Sequence, residues 1–395
     1  MLTDDISTEI RMLKITSLDV SFNELCDMYN SGELIIDPNY QRTFRWDLEK
    51  QSRFIESLLL EMPIPPIYAI EVDDGKYELI DGLQRISSYL SFRGVLIEEK
   101  DEPPADERLF DQNSETDLED DDNTQIQNGF ALTGCDIITS LNNMTYSDLP
   151  TSLQIKAKRA FVRMDVLRKG INPEMKYHMF KRLNTGGEKL SAQELRNCSL
   201  RLISNKFIDY VNEMAKNEDF RETIRNVSIK QIKKKFAEEL VVRFFAFKND
   251  SNSFSHDIDK FLTRYMEKVS FADEKGEPIF DYEKETLEFI NVFKWLKESI
   301  GRNAFAVYKG KSNKLSGFNV YQFEAVTAGV FSLYQVFEKE FNPKELKRIL
   351  EEAKKNEELI SSTVGGGKNS AGVYNNRVEI LKRILGAHYV KTDSN

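Results

Sequence analysis

Asp81-Gly82-Leu83-Gln84-Arg85 is the stretch whose residue types and spacing are best suited to chemistry. It follows the short apolar run Tyr77–Ile80 and precedes Ile86, Leu90 and Phe92 at helical spacing, so the sequence predicts a strand-to-helix turn. A helix N-terminus offers N–H groups without intrahelical partners and a partial positive charge. Gly82 lets a ligand approach the backbone, and Arg85, one turn in, can fork onto a phosphate. Asp81 can hold a metal ion or a water beside it. A purely structural reading stands next to this one: Asp81 as N-cap, Gly82 as turn residue and Arg85 as a surface ion pair.

Four other stretches compete for a role. Tyr40-Gln41-Arg42, with Phe44, Arg45 and Trp46, sets two guanidiniums among three aromatics, a loop able to stack a base and bind phosphate or simply to pack on the core. Asn184-Thr185-Gly186-Gly187 can offer backbone N–H groups and an amide to an anion, or be a helix C-cap. Lys230, Lys233, Lys234 and Lys235 form a basic cluster that suits a nucleic-acid backbone or a solvated face; Lys156, Lys158, Arg159, Arg163, Arg168 and Lys169 form a second. Gly365-Gly366-Gly367-Lys368 lacks the spacing of a phosphate-binding loop. His178, His256 and His388 are isolated, without metal-like companions at close spacing.

These residues need elements to position them. Ser21 and Asp47 read as caps of two early helices, the second carrying Phe54, Ile55, Leu58, Leu59 and Met62 and ending at Pro63, Pro65 and Pro66. Ile67–Val72 and Tyr77–Ile80 flank Asp73-Asp74-Gly75-Lys76 as a hairpin, and Ala160–Leu167 alternates like a strand. Pro173 opens a helix to Leu183, and Ser191-Ala-Gln-Glu194 is a capping box. From about residue 200 onward the pattern is helical up to a Ser/Thr/Gly-rich loop at 360–373, with a closing helix from Tyr374. The expected organisation is α+β: a first domain over 1–198 with an acidic mobile insertion at 98–128, then an all-α domain over 199–395.

The net charge of −10 comes from 55 basic and 65 acidic side chains. Glu98–Asp122 holds 13 of the acids and two of the bases, leaving 53 bases and 52 acids elsewhere. The acidity therefore describes one segment and does not exclude DNA or phosphate ligands. One role for that segment is to screen the basic surfaces from non-specific polyanions. The three cysteines lie far apart, so neither a disulfide framework nor a zinc ribbon is expected. With no signal-like start and no long apolar run, the expected location is the cytoplasm, with no membrane partner.

Taken in order, Tyr40-Gln41-Arg42…Phe44-Arg45-Trp46, Ser57–Pro66, Tyr77-Glu-Leu-Ile-Asp81-Gly-Leu-Gln-Arg85 and Phe180-Lys-Arg-Leu-Asn184-Thr-Gly-Gly187…Glu194-Leu195-Arg196 resemble the N-terminal domain family of GmrSD-type, modification-dependent restriction systems. The resemblance covers about residues 14–200. It implies a ParB/sulfiredoxin-like fold and a nucleotide site around the family's Asp-Gly-Gln-Gln-Arg motif. It further implies binding and hydrolysis of nucleoside triphosphates with Mg2+, used to control action on foreign DNA. Carried over by position, Asp81, Gln84 and Arg85 take the catalytic roles, with Asp81 the metal ligand. Gln41, Arg42, Gly82, Arg85, Asn184, Gly186 and Gly187 form the nucleotide cradle. Leu83 replaces the motif's first Gln. The C-terminal half lacks the HNH-type nuclease motif of many relatives, so cleavage would need a separate nuclease or other defence-system partner. The sequence leaves a homo-oligomer open. Two alternatives remain: a non-hydrolysing nucleotide or DNA sensor, and a DNA nuclease.

Overall fold

Strand alternation sets the first layer. In β5 (Phe161–Leu167), Val162, Met164 and Val166 are buried, while Phe161 and Arg163 are exposed. β1 (Ile15–Ser21) pairs antiparallel along β5, with Asp19 opposite Arg163. On its other side β5 pairs in parallel with β3 (Ile67–Asp73). β3 turns into β4 (Lys76–Asp81) as the expected hairpin, and β4 takes the two-residue β2 (Leu34–Ile35) in parallel. The result is a mixed five-stranded sheet of order β1-β5-β3-β4-β2. The computed structural model describes residues 15–36, 46–73, 75–96, 129–169, 175, 177–179, 191–308, 315–336 and 342–392. The insertion at 98–128 and most of the Pro173–Leu183 helix lie outside them.

Helices cover one face of the sheet. Ser21 Oγ accepts from the Glu24 N–H at 3.1 Å and starts α1 (Phe22–Asn30). Asp47 Oδ1 accepts from the Lys50 N–H at 2.8 Å and starts α2 (Leu48–Leu59). With α3 (Leu83–Phe92) and α4 (Thr151–Arg159), they bury Phe22, Leu25, Phe54, Ile55, Leu58, Ile86 and Leu90 against Ile67, Ala69 and Met164. Each such side chain contributes about 1.5–3 kcal/mol. Met62 does not join them: α2 stops at Leu59 and Met62 is 41% exposed. Buried Glu56 pins the chain returning from the insertion, accepting from the Ile137 and Ile138 N–H groups at 3.1 and 2.6 Å.

The described residues fall into two compact units, 15–179 and 191–392. The helix α5 (Ala192–Arg201), which the expected boundary at residue 198 divides, falls whole in the second unit. Its capping box forms: Ser191 Oγ accepts from the Glu194 N–H, and Glu194 Oε2 accepts from the Ser191 N–H. The second unit is helical around a phenylalanine core, with Phe289 and Phe293 centroids 4.5 Å apart and Phe220 and Phe293 4.9 Å apart. It also holds a small antiparallel hairpin, Ala306–Tyr308 with Leu315–Phe318, which the helical reading of this region did not anticipate. Buried Lys354 Nζ donates to the carbonyls of Asn303, Ala304 and Ala306 and fixes the hairpin's start. The expected loop at 360–373 is shorter: helices occupy Glu357–Thr363 and Ala371–Thr392. Among the described residues no helix is long and apolar enough to cross a membrane.

Candidate functional site

β4 ends at Asp81, and α3 begins at Leu83 with Gly82 as its N-cap at φ +106°. A Cβ on Gly82 would lie 2.4 Å from Ile67 Cγ2 and 2.9 Å from Ile67 Cβ. Ile67, the first residue of β3, is fully buried and has nowhere to retreat. The position thus requires glycine twice over, for its dihedral and for its space. Asp81 is therefore not the cap. Its Oδ2 instead lies 3.1 Å from Arg85 Nη2.

Arg85 is no surface ion pair either, since 13% of its side chain is exposed. Its guanidinium also donates to the carbonyls of Pro65 and Pro66. Burial lowers the Arg85 pKa, while Asp81 and Tyr68 pull it back up. Three of its five N–H groups are thereby directed to the protein. These proline carbonyls were missed in the sequence. A signal exists: a Pro-Pro pair has no N–H groups, so it cannot join a strand ladder as a donor and leaves acceptors for a nearby side chain.

Gln84 Oε1 accepts from the Trp46 N–H at 3.0 Å, and the Trp46 carbonyl accepts from Gln51 Nε2 at 2.9 Å. The Trp46 ring packs edge-on to Phe54 at 5.8 Å. Gln84 thus ties the turn to the chain that emerges from the Gln41-Arg42 segment. Gln41 and Arg42 themselves lie outside the described residues, as do Asn184, Gly186 and Gly187, so the proposed cradle is seen here only at Asp81, Gly82, Gln84 and Arg85.

Leu83 is 7% exposed and packs in the core with Ile86 and Leu90. A side chain at this position points into the hydrophobic layer. Leu83→Gln is therefore expected to destabilise the first unit by about 1–3 kcal/mol, because it buries an amide without partners. A urea midpoint unchanged from wild type would contradict this placement.

The Lys230–Lys235 cluster spans a four-residue helix, Ile229–Ile232, and the turn after it. Lys230, Lys233 and Lys234 are exposed, whereas Lys235 takes φ +62° and pairs with Glu238 at 2.8 Å. His178 packs edge-on to Tyr177. Among the described residues no group of three His, Cys, Asp or Glu side chains is placed to hold a metal ion. At the turn Asp81 is the carboxylate at hand. That suits Mg2+, which takes one or two carboxylates and completes its shell with phosphate oxygens and water.

Clefts open among the described residues of the first unit, and two of them bear on the site. One, of about 440 Å³, lies beside α1 and is lined by Glu24, Asp27 and Glu33. The other, of about 930 Å³, runs between the Met62–Ile64 segment, α4 and the start of β5.

Residues 22–201 match the family described as GmrSD restriction endonuclease, N-terminal domain. No curated protein and no solved structure matches the chain.

Proposed function

We propose, from the match of residues 22–201 to the GmrSD restriction endonuclease N-terminal domain family, that the protein is a nucleoside triphosphate-binding and -hydrolysing component of a restriction-like defence system acting on DNA. The observation that carries this reading is the Gly82 turn. It fixes the N-terminus of α3 against β3, beside a carboxylate and a largely buried guanidinium. Helix N–H groups and the Arg85 cation favour phosphate there. Asp81 would hold Mg2+ together with the nucleotide's own phosphate oxygens. Gln84 holds Trp46, which follows the Gln41-Arg42 segment in the chain, beside the turn. Phosphoryl transfer asks for positioning and charge stabilisation more than covalent chemistry, and this arrangement supplies both. Asn184, Gly186 and Gly187 complete the cradle in this reading, and the exposed Lys230, Lys233 and Lys234 offer contacts to a DNA backbone.

The test uses variants that keep the fold. In Asp81→Asn and Arg85→Lys, Mg2+-dependent phosphate release is expected to fall by at least about a hundredfold. Turnover equal to wild type in both would remove the mechanism. The Asp81–Arg85 pair favours one second reading, a nucleotide sensor without turnover: the carboxylate is already engaged at 3.1 Å. Calorimetric nucleotide binding without phosphate release would select it.

A further inference from the structure

The 930 Å³ cleft brings together features that its neighbours do not explain. Phe161 is 66% exposed, Ile155 44% and Met62 41%, and all three line this one cleft. Phe161 and Arg163 stand two apart on β5, on the sheet face opposite buried Val162 and Met164. Arg159, the last residue of α4, is exposed and lines the same opening, with Lys156 one turn earlier. An aromatic ring bared to solvent between two arginines is poorly suited to a plain surface.

The two acids at the rim do not cancel these cations. Lys156 lies 3.2 Å from Glu61 and Arg163 3.6 Å from Asp19, all four side chains more than one-third exposed. Such pairs are weak in water and exchange readily for phosphate. The cleft also adjoins the turn through the chain itself. Its wall includes Pro63 and Ile64, and the next two residues, Pro65 and Pro66, are those whose carbonyls take Arg85.

We propose that this cleft binds single-stranded DNA, with a base stacked on Phe161 and the flanking phosphates on Arg159 and Arg163. A ring face serves any unstacked base, and guanidiniums track the backbone on either side of it. Duplex DNA keeps its base faces stacked and cannot use the ring. The proposal rests on the reading above only in taking DNA as the target.

The experiment is fluorescence anisotropy with a labelled oligothymidylate of about 16 nucleotides, the upper site size of a single stacking domain. The full-length protein is expected to bind it at low salt, and to bind duplex of the same length more weakly. Phe161→Ala is expected to weaken binding about tenfold, and Phe161→Trp to retain it. The double variant Arg159→Glu/Arg163→Glu is expected to flatten the salt dependence by about 1.4 log units per log unit of salt. These side chains are exposed, so unchanged thermal melts are expected to show that the variants fold. Wild-type protein that ignores the oligomer, or variants that bind it as wild type does, would overturn the proposal. So would a cleft that binds an acidic peptide in preference to the oligomer. Nucleotide binding by the Phe161 variants is measured separately and is expected to be unchanged. Failure here and failure of the Asp81–Arg85 reading are thereby told apart.

Discussion

Gly82→Ala is expected to destabilise the first unit by about 2–6 kcal/mol, from two separate causes. A side chain at φ +106° costs of order 1–3 kcal/mol in backbone strain. Forcing a methyl against the fully buried Ile67, whose Cγ2 would lie 2.4 Å away, costs about 1–3 kcal/mol more in overpacking. Two units make a single global unfolding energy ill-defined, so the measurement must report one of them. The protein supplies the means: of its two tryptophans, Trp46 lies in the first unit and Trp295 in the second. In a Trp295→Phe background, Trp46 fluorescence in urea reads the first unit alone. The two causes separate in a double-mutant cycle with Ile67→Ala. Ile67→Ala removes the 2.4 Å contact with Cγ2 but leaves the 2.9 Å approach to Cβ and the dihedral, so part of the loss is recovered and the two substitutions are expected to couple rather than add. A Gly82→Ala midpoint equal to wild type would refute the close approach of α3 to β3. The nucleotide reading would lose its main support with it.

The first unit was largely legible where its signals are local. Ser21 and Asp47 cap the helices that their residue types announce. The alternation of Val162, Met164 and Val166 marks β5 in sequence as it does in the sheet. What was not legible is non-local. Nothing in Phe161–Leu167 says that it inserts between β1 and β3, because that order is set by pairings across some 90 to 150 residues. Arg85 illustrates the same limit within the site. The sequence offers Arg85 as a phosphate fork or a surface ion pair, but its pairing with Asp81 is set by the turn, and its burial depends on Pro65 and Pro66, twenty and nineteen residues earlier. Leu83 read as a lost amide at the turn, and only the core around it shows which way that side chain points. Met62 continued the apolar spacing of α2, yet the helix stops short of it and leaves it lining a cleft. In the second unit the hairpin at 306–318 escaped notice because its strands are three and four residues long, too short for a period to declare itself.

Least legible of all was the pairing of charges inside the helical unit, and it sets the other large expected effect. Glu324 lies on the helix Val320–Val336 with 1% of its side chain exposed. It holds Arg243 from Phe236–Asp250 at 2.5 Å and Arg377 from Ala371–Thr392 at 3.1 Å. Arg243 has a second carboxylate in Glu239 at 2.9 Å, which also takes Arg196 at 3.1 Å. Arg377 is fully buried, and beyond Glu324 it is met by the Lys368 carbonyl at 2.9 Å and the Tyr321 ring at 4.7 Å. Glu324→Ala therefore strands one buried guanidinium and weakens the hold on another, and is expected to cost about 3–5 kcal/mol. Removing the stranded cation as well should recover much of that loss. Glu324→Leu/Arg377→Met leaves an apolar pair of similar bulk, while Arg243 keeps Glu239. Trp295 packs on Tyr334 of the same helix as Glu324, with centroids 5.4 Å apart, and reports this unit in a Trp46→Phe background. A single variant as stable as the double would mean that water reaches Arg377 and that the charge was never sealed in. The expected order, wild type above the double and the double above the single, would show that the three helices are joined by an ion network whose loss is felt mainly through the charge it leaves behind.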